Sequence, residues 1–559
     1  MAKDCYCSRD KLVARWTALK NERASWLSHW KEISDYLLPR SGRFFIEDRN
    51  KGERRHNNIY DSTGTRSLRV LAAGMMAGMT SPARPWFRLT TADPDLAKYG
   101  AVKVWLNQVS MLMRRVFDTS NTYRALHSLY EELGAFGTAS SIIVENYETV
   151  THHHPLTAGE FAIATDWQGN ATTLYREFQA TVGQLVVEFG KDAVSPNVRN
   201  LYERGTFDHW VTVIHVIEPR REREPGKRDS RNMPWRSVYF EAGCHEDKIL
   251  RESGYERFPA VCPRWATSGG DIYGSSPAME ALGDIKQLQQ EQLRKGQGID
   301  FMTRPPLQAP TSLVNQTIDS LPGGVTYVDT AAPNGGIRTQ FDVRLDLQHL
   351  LIDIQDVRER IRGAFYADLF LMLANRQDLR MTATEVAERH EEKLLMLGPV
   401  LERLHNELLD PMIEITFARM LRAGIVPSPP QELQGMDLNV EFVSMLAQAQ
   451  QAVGTNSIDR FVMTLGNLAQ VKPDVLDKLD ADHWADAYAD MLGVDPELVV
   501  PADKVALVRE ARAKLAAQQA QTEQAVQQSQ AIRNLGQTPS GGGNLAADAI
   551  SQFSGYTGA

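Results

Sequence analysis

Cysteine is scarce in this chain, which has four in 559 residues: Cys5, Cys7, Cys244 and Cys262. Cys5 and Cys7 are too close together to begin a disulfide framework, and the sequence contains no Cys-x-x-Cys pair. A disulfide-stabilised secreted fold and a cysteine-based zinc site are therefore excluded. The pattern predicts free thiols in a reducing compartment.

Long hydrophobic runs are also absent. The most apolar window, Leu68–Met79, spans about twelve residues, whereas a membrane-spanning helix needs roughly 20. The first residues, MAKDCYCSRDK, contain no apolar segment of the kind that a signal peptide requires. We therefore expect a soluble protein that is made in the cytoplasm.

The chain has no excess of positive charge. It carries 61 Lys and Arg against 70 Asp and Glu, for a net charge of −9 and a pI near 5.9. High-affinity nucleic-acid binders are usually basic, so any DNA contact should be weak. A mass of 62.6 kDa exceeds one compact core and predicts two to four domains.

Catalytic motifs are missing as well. The sequence has no GxxxxGK[ST], no GxGxxG and no GxSxG motif. His390-Glu391 lacks the second histidine of a zincin helix. We expect no enzymatic activity, no cofactor and no metal.

Two groups of titratable residues are interpreted structurally. His152-His153-His154 precedes Pro155, and three consecutive side chains cannot face one site, so we predict a solvated loop rather than a metal site. The adjacent pairs Glu131-Glu132 and Glu391-Glu392 point apart on helices, and we predict solvated faces rather than acid/base dyads.

The helix start after Gly269-Gly270 is clearly marked. Ser275 or Ser276 is a suitable N-cap, Pro277 stands at the first helical position and Glu280 follows in the first turn. This helix should run to about Phe301. A Pro- and Gly-rich segment follows, and a second helix then has apolar residues at helical spacing from Leu347 to Ile361. The pattern predicts two helices with a small projecting tip.

The rest of the chain mixes strands and helices. Strand-like runs separated by turns fill residues 139–265, with a helical stretch at Gln184–Arg204. A long helical pattern at Thr382–Ala423 should be kinked, because it contains Gly398-Pro399 and Pro411. Gly74 and Gly78 predict a helix that packs closely against a neighbour. The predicted fold class is α+β, mainly helical.

Five stretches occur in an order typical of one protein family. They are LAAGMMAGMTSPARPWFRL, LGAFGTASSIIVEN, YERFPAVCPRW…DIYGSSPAMEALGDIKQL, MTATEVAERHEEKLLMLGPVLERLHNELLDPMI and VEFVSMLAQAQQA. On these stretches the chain resembles the portal proteins, or head-to-tail connectors, of short-tailed (podovirus-type) bacteriophages. The resemblance extends from about Trp16 to about residue 515.

The resemblance implies a portal fold with a wing, a two-helix stem, a clip and a helical crown. Mapped onto this chain, the parts are the wing at 1–275, the first stem helix at 276–302, the clip at 303–343, the second stem helix at 344–363, the tunnel loop at 364–380, the long wing helix and its return strand at 381–443, the crown at 444–503, and a C-terminal helix or barrel with a mobile tail at 504–559.

The resemblance also implies the function. Portal proteins form rings, typically of twelve subunits, at one capsid vertex of the virion, and double-stranded DNA is packaged and ejected through the channel. The implied partners are a terminase motor, then tail adaptor and tail proteins, together with capsid, scaffolding and internal core proteins, with assembly in the host cytoplasm. An alternative is another virion component, such as a tail adaptor or an internal core protein without a DNA channel.

Candidate residues follow from this mapping. A channel that moves DNA must not hold it, since each phosphate contact adds affinity. Scattered basic residues are candidates for weak contact, with ion pairs or solvated charges as the alternative: Lys286, Arg294, Lys295, Arg376 and Arg380. The docking candidates in the clip are Pro322, Gly323, Gly324, Tyr327, Pro333 and Gly335.

Overall fold

The computed structural model describes most of the chain. The described ranges are 9–45, 52–91, 99–224, 226–227, 229–243, 248–309, 336–340, 347–374, 397–433, 438–442, 461–468 and 502–535, with isolated residues between them. The chain divides into two compact units. The first unit comprises Met1–Ala92, Gln108–Pro429 and Gln434–Val453, and the second comprises Asp93–Asn107, Pro430–Leu433 and Gly454–Ala559.

A five-stranded antiparallel sheet lies in the first unit. Its strands, in spatial order, are β4 (Phe161–Thr165), β5 (Ala171–Thr181), β6 (Trp210–Pro219), β7 (Trp235–Glu241) and β8 (Arg251–Tyr255). The order follows the sequence because each strand returns beside the previous one through a short connection or through small helices. The strands predicted in this region are confirmed, as is a mixed α+β fold class in which helix predominates.

Helices cover both faces of this sheet. Helix α1 (Arg9–Tyr36) buries Leu12, Trp16 and Leu19 against one face, and the indole of Trp16 stacks on Tyr175 with ring centroids 6.0 Å apart. Two short helices, α5 (Val182–Phe189) and α6 (Pro196–Glu203), pack on the other. The helical stretch predicted at Gln184–Arg204 is confirmed, and it consists of two short helices because Gly190 ends α5 and Ser195 caps α6 with an oxygen that accepts from Val198 N.

A second, three-stranded sheet has the order β3-β2-β9, with β2 at Ser140–Asn146, β3 at Val150–Leu156 and β9 at Ala260–Val261. The solvated loop predicted for the three histidines was wrong. They lie within β3, where side chains alternate between the two faces, and His153 is buried at 1% exposure. The Asn121 side chain donates a hydrogen bond to the His153 carbonyl and accepts one from the His153 N–H.

The solvated face predicted for Glu131-Glu132 was also wrong for one of its members. Glu132 is partly buried on helix α4 (Thr122–Phe136), where its carboxylate accepts hydrogen bonds from Thr157 Oγ1 at 2.7 Å and Ala158 N at 3.1 Å. Burial raises its pKa to about 7. Glu391-Glu392 lies outside the described residues.

The glycine-containing helix α2 (Thr63–Met79) packs as closely as predicted. A Cβ at Gly74 would lie 2.2 Å from the ring of Phe370, which belongs to helix α9 (Ala367–Ala374). The remaining helices of the central part are α3 (Gly100–Thr119), α7 (Pro277–Thr303) and α8 (Leu347–Ala364).

The segment predicted as a long kinked helix is described from residue 397 onward. A helical stretch at 397–404 passes into a π-helical turn at His405–Leu409 and then into α10 (Asp410–Arg422). Pro411 cannot donate a backbone hydrogen bond to a preceding carbonyl, and the ladder is irregular just before it. The kink predicted from Pro411 stays a prediction, and the π-helical turn directly before this residue is consistent with it. Strand β12 (Leu438–Phe442) follows and pairs antiparallel with β1 (Phe87–Thr91).

In the second unit, helix α11 spans Ala502–Leu535. Arg509 on this helix forms an ion pair of 2.5 Å with Asp482. The apolar residues Leu507, Leu515 and Val526 of the same helix are exposed. Among the residues that the structure describes, none of the helices combines the length and apolar character needed to cross a bilayer. Cys262 is a buried free thiol.

Candidate functional site

The two segments predicted as stem helices form α7 and α8, which pack against each other, and we call this pair the stem hairpin. Ser276 caps α7 as predicted, since its Oγ accepts from Met279 N at 3.1 Å and donates to the Ala135 carbonyl at 2.8 Å. An ion pair of 3.4 Å joins Asp284 to Arg360. Pro277 occupies the first turn of α7, so the residue at which this helix begins and the direction in which it runs from there are both fixed.

Both helices bury apolar residues at helical spacing. Three on α7 and three on α8 are almost fully buried: Leu282, Ile285, Leu288, Ile354, Val357 and Ile361. Glu291, further along α7, is close enough to Asp353 for the two carboxyl groups to interact. Burial, together with this acid, raises the pKa of Glu291. The pairing of 284 with 360 and 291 with 353 makes the helices antiparallel.

A polar junction fixes the stem hairpin to the segment before α2. The Gln289 side chain is buried, and its Oε1 accepts from the backbone N–H groups of Tyr60 and Asp61 at 2.7 and 2.8 Å, while its Nε2 donates to the Asp61 carbonyl at 2.9 Å. Arg358 on α8 donates twice to Asp61 Oδ2, at 2.7 and 3.1 Å. We call Asp61, Gln289 and Arg358 the stem junction.

The Asp61 carboxylate is the centre of this junction. Its Oδ1 accepts from both the backbone N–H and the hydroxyl of Thr63, and Gln292 donates to its Oδ2 at 3.1 Å. Burial by itself raises the pKa of Asp61, but the hydrogen bonds from Thr63 and Arg358 outweigh it and hold the pKa below its usual range. The group is therefore charged and fully hydrogen-bonded.

The sequence did not predict this junction. Asp61 reads as a helix-start residue and Gln289 as one of many glutamines on α7. Their pairing depends on a contact between residues more than 220 positions apart. The available signal in the sequence was Gln289 itself, an amide that directly follows Leu288 on the buried side of α7.

The basic candidates for the channel are placed differently from one another. Lys286 forms an ion pair with Glu32 on α1, so its charge is already balanced within the subunit. Arg294 is exposed and contacts only Gln290 on its own helix, at 3.4 Å, among the hydrogen bonds of the described residues. Lys295 is partly exposed one position further along. Arg376 and Arg380 lie outside the described residues.

The far end of the stem hairpin is apolar and exposed. The large side chains there that have between 37% and 61% of their surface accessible include Leu293, Ile299, Met302, Leu351 and Ile352. We call them the distal apolar residues. Beyond them, strands β10 (Leu307–Gln308) and β11 (Arg338–Thr339) form a short two-stranded ladder within the segment predicted as the clip. The six docking candidates lie between these strands, outside the described residues.

The π-helical turn holds a buried ion pair. Arg264 is 5% exposed, and its guanidinium donates to Glu407 Oε1 at 2.6 Å and to Oε2 at 3.1 Å, while its backbone N–H donates to Oε2 at 2.9 Å. The same guanidinium donates to the Gly169 carbonyl at 2.8 Å. The turn thereby joins the long helix to the strand region that precedes the stem.

A strained residue follows the second stem helix. Tyr366 has φ of 53°, a left-handed conformation that is rare for an aromatic residue, at the point where α8 ends and α9 begins. Its ring lies 6.4 Å from that of Trp265. The chain therefore turns sharply at the start of the predicted tunnel loop, and α9 then packs on Gly74 through Phe370.

Comparison with known proteins gives a consistent result. Residues 9–500 match the family model described as bacteriophage head to tail connecting protein. The chain is 66% identical over 552 residues to the probable portal protein of Bordetella phage BPP-1, with 98% of this chain and 99% of that protein covered. It is 47% identical to the portal protein of Salmonella phage epsilon15, with 94% of each covered.

More distant relatives agree. The portal protein of Enterobacteria phage T3 is 23% identical over 449 residues, which cover 76% of each chain. The resemblance drawn from the sequence is confirmed by these matches. The chain belongs to the family of bacteriophage head-to-tail connecting proteins, which includes the portal proteins of podovirus-type phages.

Proposed function

We propose that this chain assembles into a closed ring, typically of twelve subunits, at one vertex of a phage capsid, and that double-stranded DNA is packaged and ejected through its channel. The near full-length identity to named portal proteins carries the proposal. The stem hairpin supports it, because its distal apolar residues are exposed in the single chain. Large apolar side chains grouped at one end of a hairpin are typical of an interaction surface.

Ring closure requires a heterologous interface, in which one face of a subunit meets a different face of the next. A helical hairpin has two distinct flanks and can meet that requirement around an axis. The distal apolar residues are our candidates for this contact. Helix α11, whose Leu507, Leu515 and Val526 are exposed, would continue the assembly as a helical barrel in the second unit.

The channel surface should let DNA slide. Of the three basic candidates that the structure describes, Lys286 is neutralised by Glu32, which leaves Arg294 and Lys295 as the phosphate contacts on α7. Two weak contacts per subunit, in a chain of net charge −9, favour transient rather than tight binding. We propose that packaging energy comes from a separate terminase motor.

The partners would bind at different parts. The clip at 303–343 would dock the terminase motor and afterwards tail adaptor and tail proteins. The wing would contact capsid and scaffolding proteins, and internal core proteins could bind on the opposite side from the clip. The protein would be a virion component that assembles in the host cytoplasm.

Averaged electron micrographs of the purified protein test the ring directly. We expect a closed particle of about a dozen subunits with an opening that admits duplex DNA. The rival function, a tail adaptor or internal core protein, would give assemblies without the wide wing and narrow stem. A species that remains monomeric at micromolar concentration would overturn the proposal.

A deletion tests the docking role separately. Removing residues 323–335 should leave the rings intact and abolish binding of the terminase motor in a pull-down assay. The matched control is removal of the C-terminal residues after 540, which should leave motor binding unchanged. Loss of rings in the first variant would instead assign this segment to assembly.

A further inference from the structure

One carboxyl group inside the stem hairpin has an oxygen without a hydrogen-bond partner. Glu291 on α7 is 8% exposed, and its Oε1 accepts a hydrogen bond from Gln287 Nε2 at 2.7 Å. Its Oε2 is buried and forms no hydrogen bond with any residue that the structure describes. An ionised carboxylate with a buried oxygen that lacks a donor is costly. The charged form of Glu291 therefore does not fit this position.

Two contacts fix the register of the stem helices. Asp284 on α7 and Arg360 on α8 form an ion pair of 3.4 Å. Further along α7, Gln292 donates to Asp61 Oδ2 at 3.1 Å, and Arg358 on α8 donates to the same oxygen at 2.7 Å. A later residue on α7 is thus matched by an earlier one on α8, which makes the helices antiparallel.

This register brings a second carboxyl group opposite Glu291. Seven residues make about two helical turns. Seven residues forward on α7 from Asp284 and seven back on α8 from Arg360 give Glu291 and Asp353, and their carboxyl groups are close enough to interact. Asp353 is exposed, and both acids lie within two residues of a distal apolar residue.

Glu291 forms no ion pair with any residue that the structure describes. Arg360 acts on it electrostatically, but the Arg360 guanidinium already pairs with Asp284 and Asp356, at 3.4 and 3.5 Å. The other basic groups around it are Lys286, which pairs with Glu32 on α1, Arg358, which pairs with Asp61 before α2, Arg294, which contacts Gln290 on α7, and Lys295 and His349, which lie about one helical turn further toward the distal end.

A proton on Glu291 Oε2 accounts for this arrangement. Of two carboxyl groups held close together, one keeps its proton because two like charges repel. Glu291 is the buried member of the pair, and burial together with Asp353 raises its pKa. The neutral carboxyl group donates from Oε2 and still accepts from Gln287 at Oε1. The Asp353 carboxylate supplies the missing acceptor.

We propose that Glu291 and Asp353 share one proton, held as a hydrogen bond from Glu291 Oε2 to the Asp353 carboxylate, and that this bond is a pH-sensitive clamp between α7 and α8. The proton comes from solvent. Its loss leaves two like charges between the helices, so the distal end of the stem hairpin opens more often as the pH rises. Because the folded pKa of Glu291 lies above its unfolded value, the stabilising contribution is full below about pH 4.3 and is lost as the pH rises through the folded pKa. The clamp lies within one subunit and does not depend on ring assembly.

Infrared difference spectroscopy of the full-length protein detects this proton. The spectrum of the wild type minus that of Glu291→Gln should contain the carbonyl band of a protonated carboxyl group at a pH where exposed glutamates are ionised, and the band should vanish as the pH rises. The matched control is Glu359→Gln, the same change at an exposed acid on α8, whose difference spectrum should lack this band at that pH. Asp353→Asn should lose most of the band, because the repelling charge is absent.

Amide hydrogen exchange tests the clamp itself. Exchange at residues 350–354 of α8, corrected for its intrinsic pH dependence, should accelerate in the wild type as the pH rises, by up to about tenfold for each unit by which the folded pKa of Glu291 exceeds the unfolded one. Glu291→Gln, whose side-chain amide donates to Asp353, should remove this acceleration. Asp353→Asn, a change at an exposed position, should reduce it and keeps the test decisive if Glu291→Gln does not fold.

Two results would overturn the proposal. The first is the absence of the carboxyl band, or an unaltered acceleration of exchange in both Glu291→Gln and Asp353→Asn. The second is stabilisation of the wild type by magnesium that Glu291→Gln does not show, because a metal ion would then take the place of the proton between the two carboxylates.

Discussion

The two halves of the stem hairpin differ in what completes them. In the base, residues 277–292 and 354–364, apolar side chains such as Leu288 and Val357 are fully buried, and the hydrogen bonds of the stem junction join both helices to the segment before α2. In the distal half, residues 293–303 and 347–353, large apolar side chains remain exposed. Within a few turns of the same two helices, the apolar side chains thus change from buried to exposed.

This difference separates folding from assembly. The base is stabilised within one chain, so changes there should unfold or loosen the subunit. In the distal half, large apolar side chains are exposed, so changes to them should alter association and leave the subunit folded.

Breaking the stem junction should have the largest effect. Gln289→Leu removes three hydrogen bonds and leaves two backbone N–H groups without their acceptor, which should lower the free energy of unfolding by about 3 kcal/mol. Urea denaturation followed by circular dichroism measures it. Gln290→Leu, the exposed neighbour, is the control and should stay within about 0.5 kcal/mol of wild type. Equal losses of unfolding free energy in the two variants would show that the stem junction does not stabilise the base.

Charging the distal half should affect assembly instead. Ile352→Asp places a carboxylate on a side chain that is 61% exposed, so the subunit should fold normally. If a neighbour buries this position in the ring, each contact should lose about 2 kcal/mol and the oligomer should dissociate in sedimentation experiments. Glu359→Asp on the same helix is the control. Intact rings in Ile352→Asp would place the subunit contact elsewhere.

Local signals explain most of what the sequence predicted correctly. Helix α7 begins where Ser276, Pro277 and Glu280 indicate, because capping depends on neighbours in the chain. The close packing at Gly74 was likewise predictable, since only small residues permit it. The family itself was identified from five ordered stretches, and the matches confirm it.

Long-range contacts explain the errors. A loop was predicted for the histidines because three consecutive side chains cannot face one site and Pro155 follows them, but β3 is an edge strand, where proline is tolerated, and α10 packs on it. Glu132 was predicted to lie on a solvated face because no local feature of the sequence shows that Thr157 and Ala158 donate hydrogen bonds to its carboxylate. The stem junction was missed for the same reason.

Acid should weaken the base more than the distal half. The pKa of Asp61 is lower in the folded state than in the unfolded chain, so its stabilising contribution is full above about pH 4 and is lost as pH falls through the folded pKa. The unfolding midpoint should fall in that acidic range, and Asp61→Asn should show a smaller fall because the titrating group is absent. Parallel profiles for the two proteins would show that the junction does not depend on this charge.

The smallest expected effects concern Lys286 and Arg294, the two basic channel candidates for which the structure describes a side-chain partner. Lys286→Gln breaks a half-exposed ion pair with Glu32 in the base, which should change stability by no more than about 1 kcal/mol and leave DNA binding unaltered. Arg294→Gln, in the distal half, should leave stability unchanged and reduce the slope of log affinity against log salt, by about 0.9 for each phosphate contact removed. Fluorescence anisotropy of a labelled duplex over a salt series measures both. If Lys286→Gln changes the slope and Arg294→Gln does not, the DNA contacts belong to the base, and the ion pair with Glu32 must open in the assembled ring.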